Sequence, residues 1–184
     1  QAAVADAGYG SDENYQTLEE LNIEAYVKYN YFDKDCRTKK DEFNSSNFDY
    51  DENKDEFYCP AGQALQLTGT GERITQRGFK QKLSYYKSSS CKGCFLKDLC
   101  HNQKGDRIIQ INHRLRNYKE KVKKNLLSEQ GILYRKQRPA DVETVFGQIK
   151  GNKGFRRFNL RGLKKVEIET GLLAIAHNLQ KLAA

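Results

Sequence analysis

Residues 1–32 read QAAVADAGYGSDENYQTLEELNIEAYVKYNYF, and this stretch decides the fold class. AAVADAGY is short, apolar and rich in small residues, which suits a buried strand ending near Asp6, with Gly8 and Gly10 supplying the turn. Ser11 precedes Asp12 and Glu13, and Asn14 follows three residues after it, so a capped helix through about Leu21 is predicted. The run IEAYVKYNYF alternates and is aromatic and β-branched, which predicts a second strand. Strand, helix and strand in about thirty residues make a βαβ-like unit and place the chain in the α/β class.

Downstream of this unit, residues 33–104 turn acidic and Asn- and Ser-containing. They include the Gly-rich turn TGTGER and all five cysteines, four of them from Cys59 onward. This is expected to be an inserted small β subdomain. Ile108, Ile111, Leu115, Tyr118, Val122 and Leu126 then recur at spacings of three and four, which predicts one long amphipathic helix that Gly131 ends. Its opposite face holds Arg114, Arg116, Lys119, Lys121, Lys123 and Lys124. Pro139 suits the first turn of a further helix, with Val142, Val145, Phe146 and Ile149 as its apolar stripe and Glu143, Gly147 and Lys150 on an adjacent face. A last helix is expected from about residue 162 to 182. The expected division is 1–32 and 105–184 for a core, with 33–104 inserted.

At 184 residues the chain can bury one sizeable core, and it contains no apolar run of 18 residues. Gln1, the lack of Met and the absence of a basic, apolar leader lead to the expectation that the chain begins inside a longer reading frame. Through Glu72, 6 Lys/Arg face 16 Asp/Glu, a net of −10; beyond it 26 face 8, a net of +18. The basic half is a candidate polyanion surface.

Two segments stand out together: ADAGYGSDENY at residues 5–15 and YRKQRPADVETVFGQIKGNKGFRRFNLRGLKK at 134–165. With the closing LLAIAHNLQKLA, they resemble the DDE domain of bacterial insertion-sequence transposases, in the branch with a cysteine-containing insert. The resemblance implies a partial RNase H-like fold in which the D-x-G-Y segment follows a central strand and V-E-x-x-F-G-x-x-K is a helix packed beside the sheet. It implies that Asp6 is the second catalytic carboxylate and Glu143 the third, with the family's first aspartate outside this chain. Lys150 lies seven residues after Glu143, as the lysine does in the related signature Y-x2-R-x3-E-x6-K, where it is implied to contact DNA phosphate. Tyr134 and Arg138 match the tyrosine and arginine of that signature, each spaced one residue wider.

Phosphodiester cleavage and strand transfer are in-line displacements, for which two hard cations can activate the attacking oxygen and stabilise the leaving one. Carboxylates suit such ions, so Asp6 and Glu143 are the expected ligands of Mg2+ or Mn2+ in an intact enzyme, and this chain alone is expected to be inactive. Cys59, Cys91-x2-Cys94 and Cys100 can present thiolates to one structural Zn2+, with free buried thiols as the alternative. Cys36 is read as a spare. His101, His113 and His177 are read as structural or surface groups, with metal ligation by His101 as the other reading. In the segment 150–165, Arg156, Arg157 and Lys164 are candidate phosphate contacts, and Phe155 and Phe158 are read as core anchors. The resemblance further implies DNA partners, both transposon ends and target, and a homodimer; the lack of a long apolar run leads to the expectation of no membrane association, and a cytoplasmic setting is expected. Two other functions stay open: a non-catalytic DNA-binding remnant, and a zinc-ribbon interaction module.

Overall fold

The computed structural model describes residues 1–183, and of Val142 the backbone alone; the apolar role expected for the Val142 side chain therefore lies outside the described residues. The fold is mixed α/β and divides into two compact units, Gln1–Gly131 and Ile132–Ala184. Among the described residues no helix is long and apolar enough to cross a membrane.

The first unit opens with the expected strand, helix and strand, although β1 is half-buried where a buried strand was expected. Strand β1 (Ala2–Ala5) pairs in parallel with β2 (Glu24–Val27), and helix α1 (Asp12–Glu20) makes the crossover. Ser11 caps α1, its hydroxyl accepting from Asn14 N–H at 3.2 Å, and Asp12 and Glu13 sit where the helix dipole favours negative charge. β2 is shorter than expected. The chain leaves it after Val27, passes through Tyr31 at a φ of 71° and enters helix α2 (Phe32–Arg37), with the Tyr29 and Phe32 rings packed edge to face at 5.5 Å.

A five-stranded antiparallel sheet follows in sequential order: β3 (Asp49–Asp51), β4 (Glu56–Tyr58), β5 (Ala64–Ile74), β6 (Lys80–Ser88) and β7 (Ile108–Ile111). Short helix α3 (Lys97–Cys100) lies between the last two strands. Phe48, Phe57, Leu65, Tyr86, Ile109 and Ile111 form the core of this sheet. The helix expected from Ile108 is thereby corrected. In β7 it is Ile109 and Ile111 that are buried, while Ile108 and Gln110 face solvent, a period of two. Helix α4 (His113–Leu127) begins only after Asn112, whose side chain accepts from Leu115 N–H at 2.9 Å as an N-cap. α4 packs on the βαβ unit through Tyr118, Val122 and Leu126, with the Tyr15 and Tyr118 rings 5.8 Å apart.

Gly131 does not end this helix either. It lies in the first turn of α5 (Glu129–Arg138), where its N–H donates to Ser128 Oγ at 3.1 Å. A Cβ at Gly131 would meet Asn125 O and the Leu126 backbone, so glycine here permits close approach of two successive helices.

In the turn between β3 and β4, Asp55 takes a left-handed φ of 52°, a conformation Asp tolerates. It accepts hydrogen bonds from Tyr50 Oη at 2.7 Å and Tyr86 Oη at 2.6 Å. The Tyr86 proton being so engaged, His113 Nε2, at 2.8 Å, is the donor to Tyr86 Oη. The Tyr86 hydrogen bond, then that of Tyr50, holds the Asp55 carboxyl below its usual range, against the opposing effect of burial. Burial, reinforced by Arg116 and opposed by Asp55, lowers His113. Both groups have folded pKa values below their unfolded ones, so each stabilises the fold at higher pH and loses that contribution on acidification. For His113 the loss begins as pH falls below about 6.5, and for Asp55 below about 4. His101 and His177 shift in the same direction. Urea midpoints should therefore fall from pH 7.5 to 5.5 and again towards pH 3.5. His113→Gln should flatten part of the first limb; a midpoint that rises on acidification to pH 5.5 would contradict this assignment.

Candidate functional site

Asp6 is the first residue past the carboxyl end of β1, the place where sites form on parallel strands. It starts a single 3-10 turn (Ala7–Tyr9), its carbonyl accepting from Tyr9 N–H at 3.0 Å, and its side chain is exposed. Gly10 closes the turn against the end of β2, where a Cβ would come within 2.7 Å of Tyr29 Cα. Two residues later the geometry is locked from below. The Asp12 side chain is fully buried and accepts from Arg114 Nε at 2.8 Å, Arg114 Nη2 at 3.0 Å and Asn112 Nδ2 at 2.8 Å. The second of two neighbouring acids is thus structural, and the first is left at the surface.

The second unit contains Glu143. α5 runs into a π-helical turn (Pro139–Glu143), then α6 (Thr144–Gly147) and a second π-helical turn (Gln148–Asn152), an irregularity often met at functional sites. Glu143 and Lys150 are exposed on this stretch, and Tyr134 and Arg138 on α5 are half-buried. Arg156, Arg157 and Lys164 are all exposed. The loop that holds the two arginines is tied to helix α7 (Leu163–Leu182) by Glu169, whose carboxylate accepts from Asn159 N–H at 3.0 Å and Leu160 N–H at 3.0 Å. These backbone hydrogen bonds hold Glu169 below the usual carboxylate range. Phe155 is half-buried and Phe158 is 47% exposed, their rings 5.4 Å apart, so the pair anchors the loop mainly on itself.

Asp6 and Glu143 offer oxygen donors of the hardness that Mg2+ or Mn2+ prefers. They belong to different units, and among the described residues no three His, Cys, Asp or Glu side chains are placed to hold a metal ion. The donor chemistry fits the cation; two carboxylates do not complete its cage.

The cysteines are the expected residues that the structure does bring together. Cys59, Cys91, Cys94 and Cys100 line one small cavity, together with His101 and Arg107. All four are free thiols, and Cys36 is exposed elsewhere. The cavity measures about 20 Å³, room for one small sphere. Cys59 and Cys91 each begin a tight turn, with Gly62 at a φ of 77° and Gly93 at 73° giving the left-handed residue each turn requires. Arg107 was not singled out in the sequence, since a lone arginine after a cysteine cluster gives no signal of its own.

The basic face of α4 is largely engaged. Arg114 binds Asp12, Arg116 pairs with Glu120 and lies over the Tyr50 and Phe57 rings, Lys121 pairs with Glu19, and Lys119 lies over Tyr29. Lys124 remains exposed.

A family model described as "Transposase DDE domain" matches residues 58–183. No curated protein and no solved structure matches the chain.

Proposed function

From the premise that this chain belongs to the transposase DDE-domain family, whose model covers more than half of it, we propose that it supplies part of the catalytic domain for metal-dependent cleavage and strand transfer of DNA. The observation that supports this most is the position of Asp6, exposed at the carboxyl end of a strand in a parallel βαβ unit. In this reading residues 1–32 and 105–184 contribute to an RNase H-like core, and 33–104 are its insert. Asp6 and Glu143 would hold Mg2+ or Mn2+, whose chemistry is activation of the attacking oxygen and stabilisation of the leaving one. Lys150, Arg156, Arg157 and Lys164, with Tyr134 and Arg138, hold the DNA backbone, whether transposon end or target, and a homodimer brings two ends together in the cytoplasm. Structural Zn2+ on Cys59, Cys91, Cys94 and Cys100 completes the cofactor set.

With two of the family's three carboxylates, the 184 residues alone should cleave no DNA; metal-dependent nicking that disappears in Asp6→Ala would overturn that expectation. The function itself is tested by transposition from the chain's own gene. Asp6→Asn and Glu143→Gln should each reduce it to background, and Asp141→Asn should not. Transposition indifferent to both carboxylates would leave a non-catalytic DNA-binding role.

A further inference from the structure

We infer that the cysteine cavity is a tetrathiolate metal centre in which His101 and Arg107 are hydrogen-bond donors to sulfur and not ligands. This rests on the zinc component of the proposed function and is independent of the transposition reading.

The backbone prepares three of the four sulfurs in short, tight segments. Cys59 heads a turn in which its carbonyl accepts from Gly62 N–H at 2.8 Å, Cys91 heads one in which its carbonyl accepts from Cys94 N–H at 3.4 Å, and Cys100 ends α3. The cavity also collects donors. Arg107 Nη1 lies 2.7 Å from Cys100 Sγ, and the Arg107 backbone N–H donates to Cys91 Sγ at 3.3 Å. The guanidinium is fixed independently of any ion, since it also donates to Cys100 O at 2.6 Å and Phe43 O at 2.7 Å and lies 4.8 Å over the Phe48 ring.

His101 adds the deciding detail. Its Nδ1 accepts from Gln103 N–H at 3.1 Å, so the neutral ring carries its proton on Nε2. That Nε2 is buried and has no hydrogen-bond partner, although the residue lines the cavity. A buried N–H without an acceptor is costly, and an anionic sulfur would satisfy it. Ligation through Nε2 would instead move the proton to Nδ1, where it would face the Gln103 N–H donor to donor. The charges agree with this division. Four thiolates and one divalent cation sum to a double negative charge, and Arg107 and Lys97 at the cavity wall supply two positive charges. As the cavity stands the sulfurs do not form a metal cage, so binding must close the two turns and the end of α3 around the ion.

The test uses the full 184-residue chain. Elemental analysis should find about one zinc per chain. The Co2+-substituted protein should show the visible absorption of four-sulfur tetrahedral coordination. His101→Gln and Arg107→Gln should keep that spectrum and bind zinc roughly 10–100-fold more weakly, the usual effect of losing a group that supports a ligand. Cys94→Ser should change or abolish the spectrum, and Cys36→Ser should change nothing. A three-sulfur, one-nitrogen spectrum in the parent chain, or one that shifts in His101→Gln, would overturn the donor role of His101 while leaving zinc in place. A parent chain that takes up neither zinc nor cobalt would overturn the zinc reading as well. Because the parent spectrum alone counts the sulfurs, a variant that fails to fold does not remove the test.

Discussion

Asp12→Ala is expected to destabilise the first unit by about 3–4 kcal/mol, towards the lower part of the range for removing one partner of a buried charge pair. The Asp12 side chain is wholly buried, while that of Arg114 is 40% exposed and can recover some hydration. Three hydrogen bonds end on Asp12, from Arg114 twice and from Asn112 once. They join the start of α1 to the start of α4, about a hundred residues later. Its hydrogen bonds to Asp12, against the opposing effect of burial, raise the pKa of Arg114, which therefore stays charged throughout the useful pH range. Asp12→Asn should cost less, since it keeps the shape and loses the charge. In a double-mutant cycle, Arg114→Ala should cost much less in the Asp12→Ala background than alone, because the two act as one unit. Urea unfolding of the four chains measures all of this. A loss below about 1 kcal/mol for Asp12→Ala would mean that the pair contributes no more than an exposed ion pair does.

That result bears on the site, because α1 begins six residues after Asp6 and its buried first residue fixes where the Asp6 turn ends. The sequence shows the turn plainly: small apolar residues, Asp, two glycines and a Ser cap are all local signals, and each is realised locally. It does not show which of Asp6 and Asp12 is structural, since the partner that decides is Arg114. The α4 face depends on distant partners in the same way. Six cations at helical spacing read as a polyanion surface, yet Asp12, Glu19, Glu120 and three aromatic rings engage most of them. Ile108 and Ile109 stand side by side, so the pattern allows both a period of three to four and a period of two. Pairing with β6 chose the second. The cysteines were legible because turn residues flank them, and Arg107 was not because nothing local marks it.

With α4 largely engaged, the proposed DNA surface concentrates in the second unit, where residues 132–184 hold 11 Lys/Arg against 4 Asp/Glu. Duplex DNA should bind there with little sequence preference, because contacts to phosphate carry no base information. Affinity should fall steeply with salt as condensed counterions are released, by roughly 0.9 in the slope of log affinity against log salt for each phosphate contact. Arg156, Arg157 and Lys164 are exposed on and beside a loop that Glu169 ties to α7, so they are accessible to phosphates. Replacing all three by Ala should weaken two unrelated duplexes alike and lower the slope by up to roughly 2.7. Glu143→Gln should leave the slope unchanged and affinity the same or slightly higher, since it removes a negative charge and no phosphate contact. Fluorescence anisotropy over a salt series distinguishes these cases. An unaltered slope in the triple variant would place the DNA surface elsewhere, on residues such as Lys124, and a parent chain that fails to bind at low salt would favour the zinc-module reading.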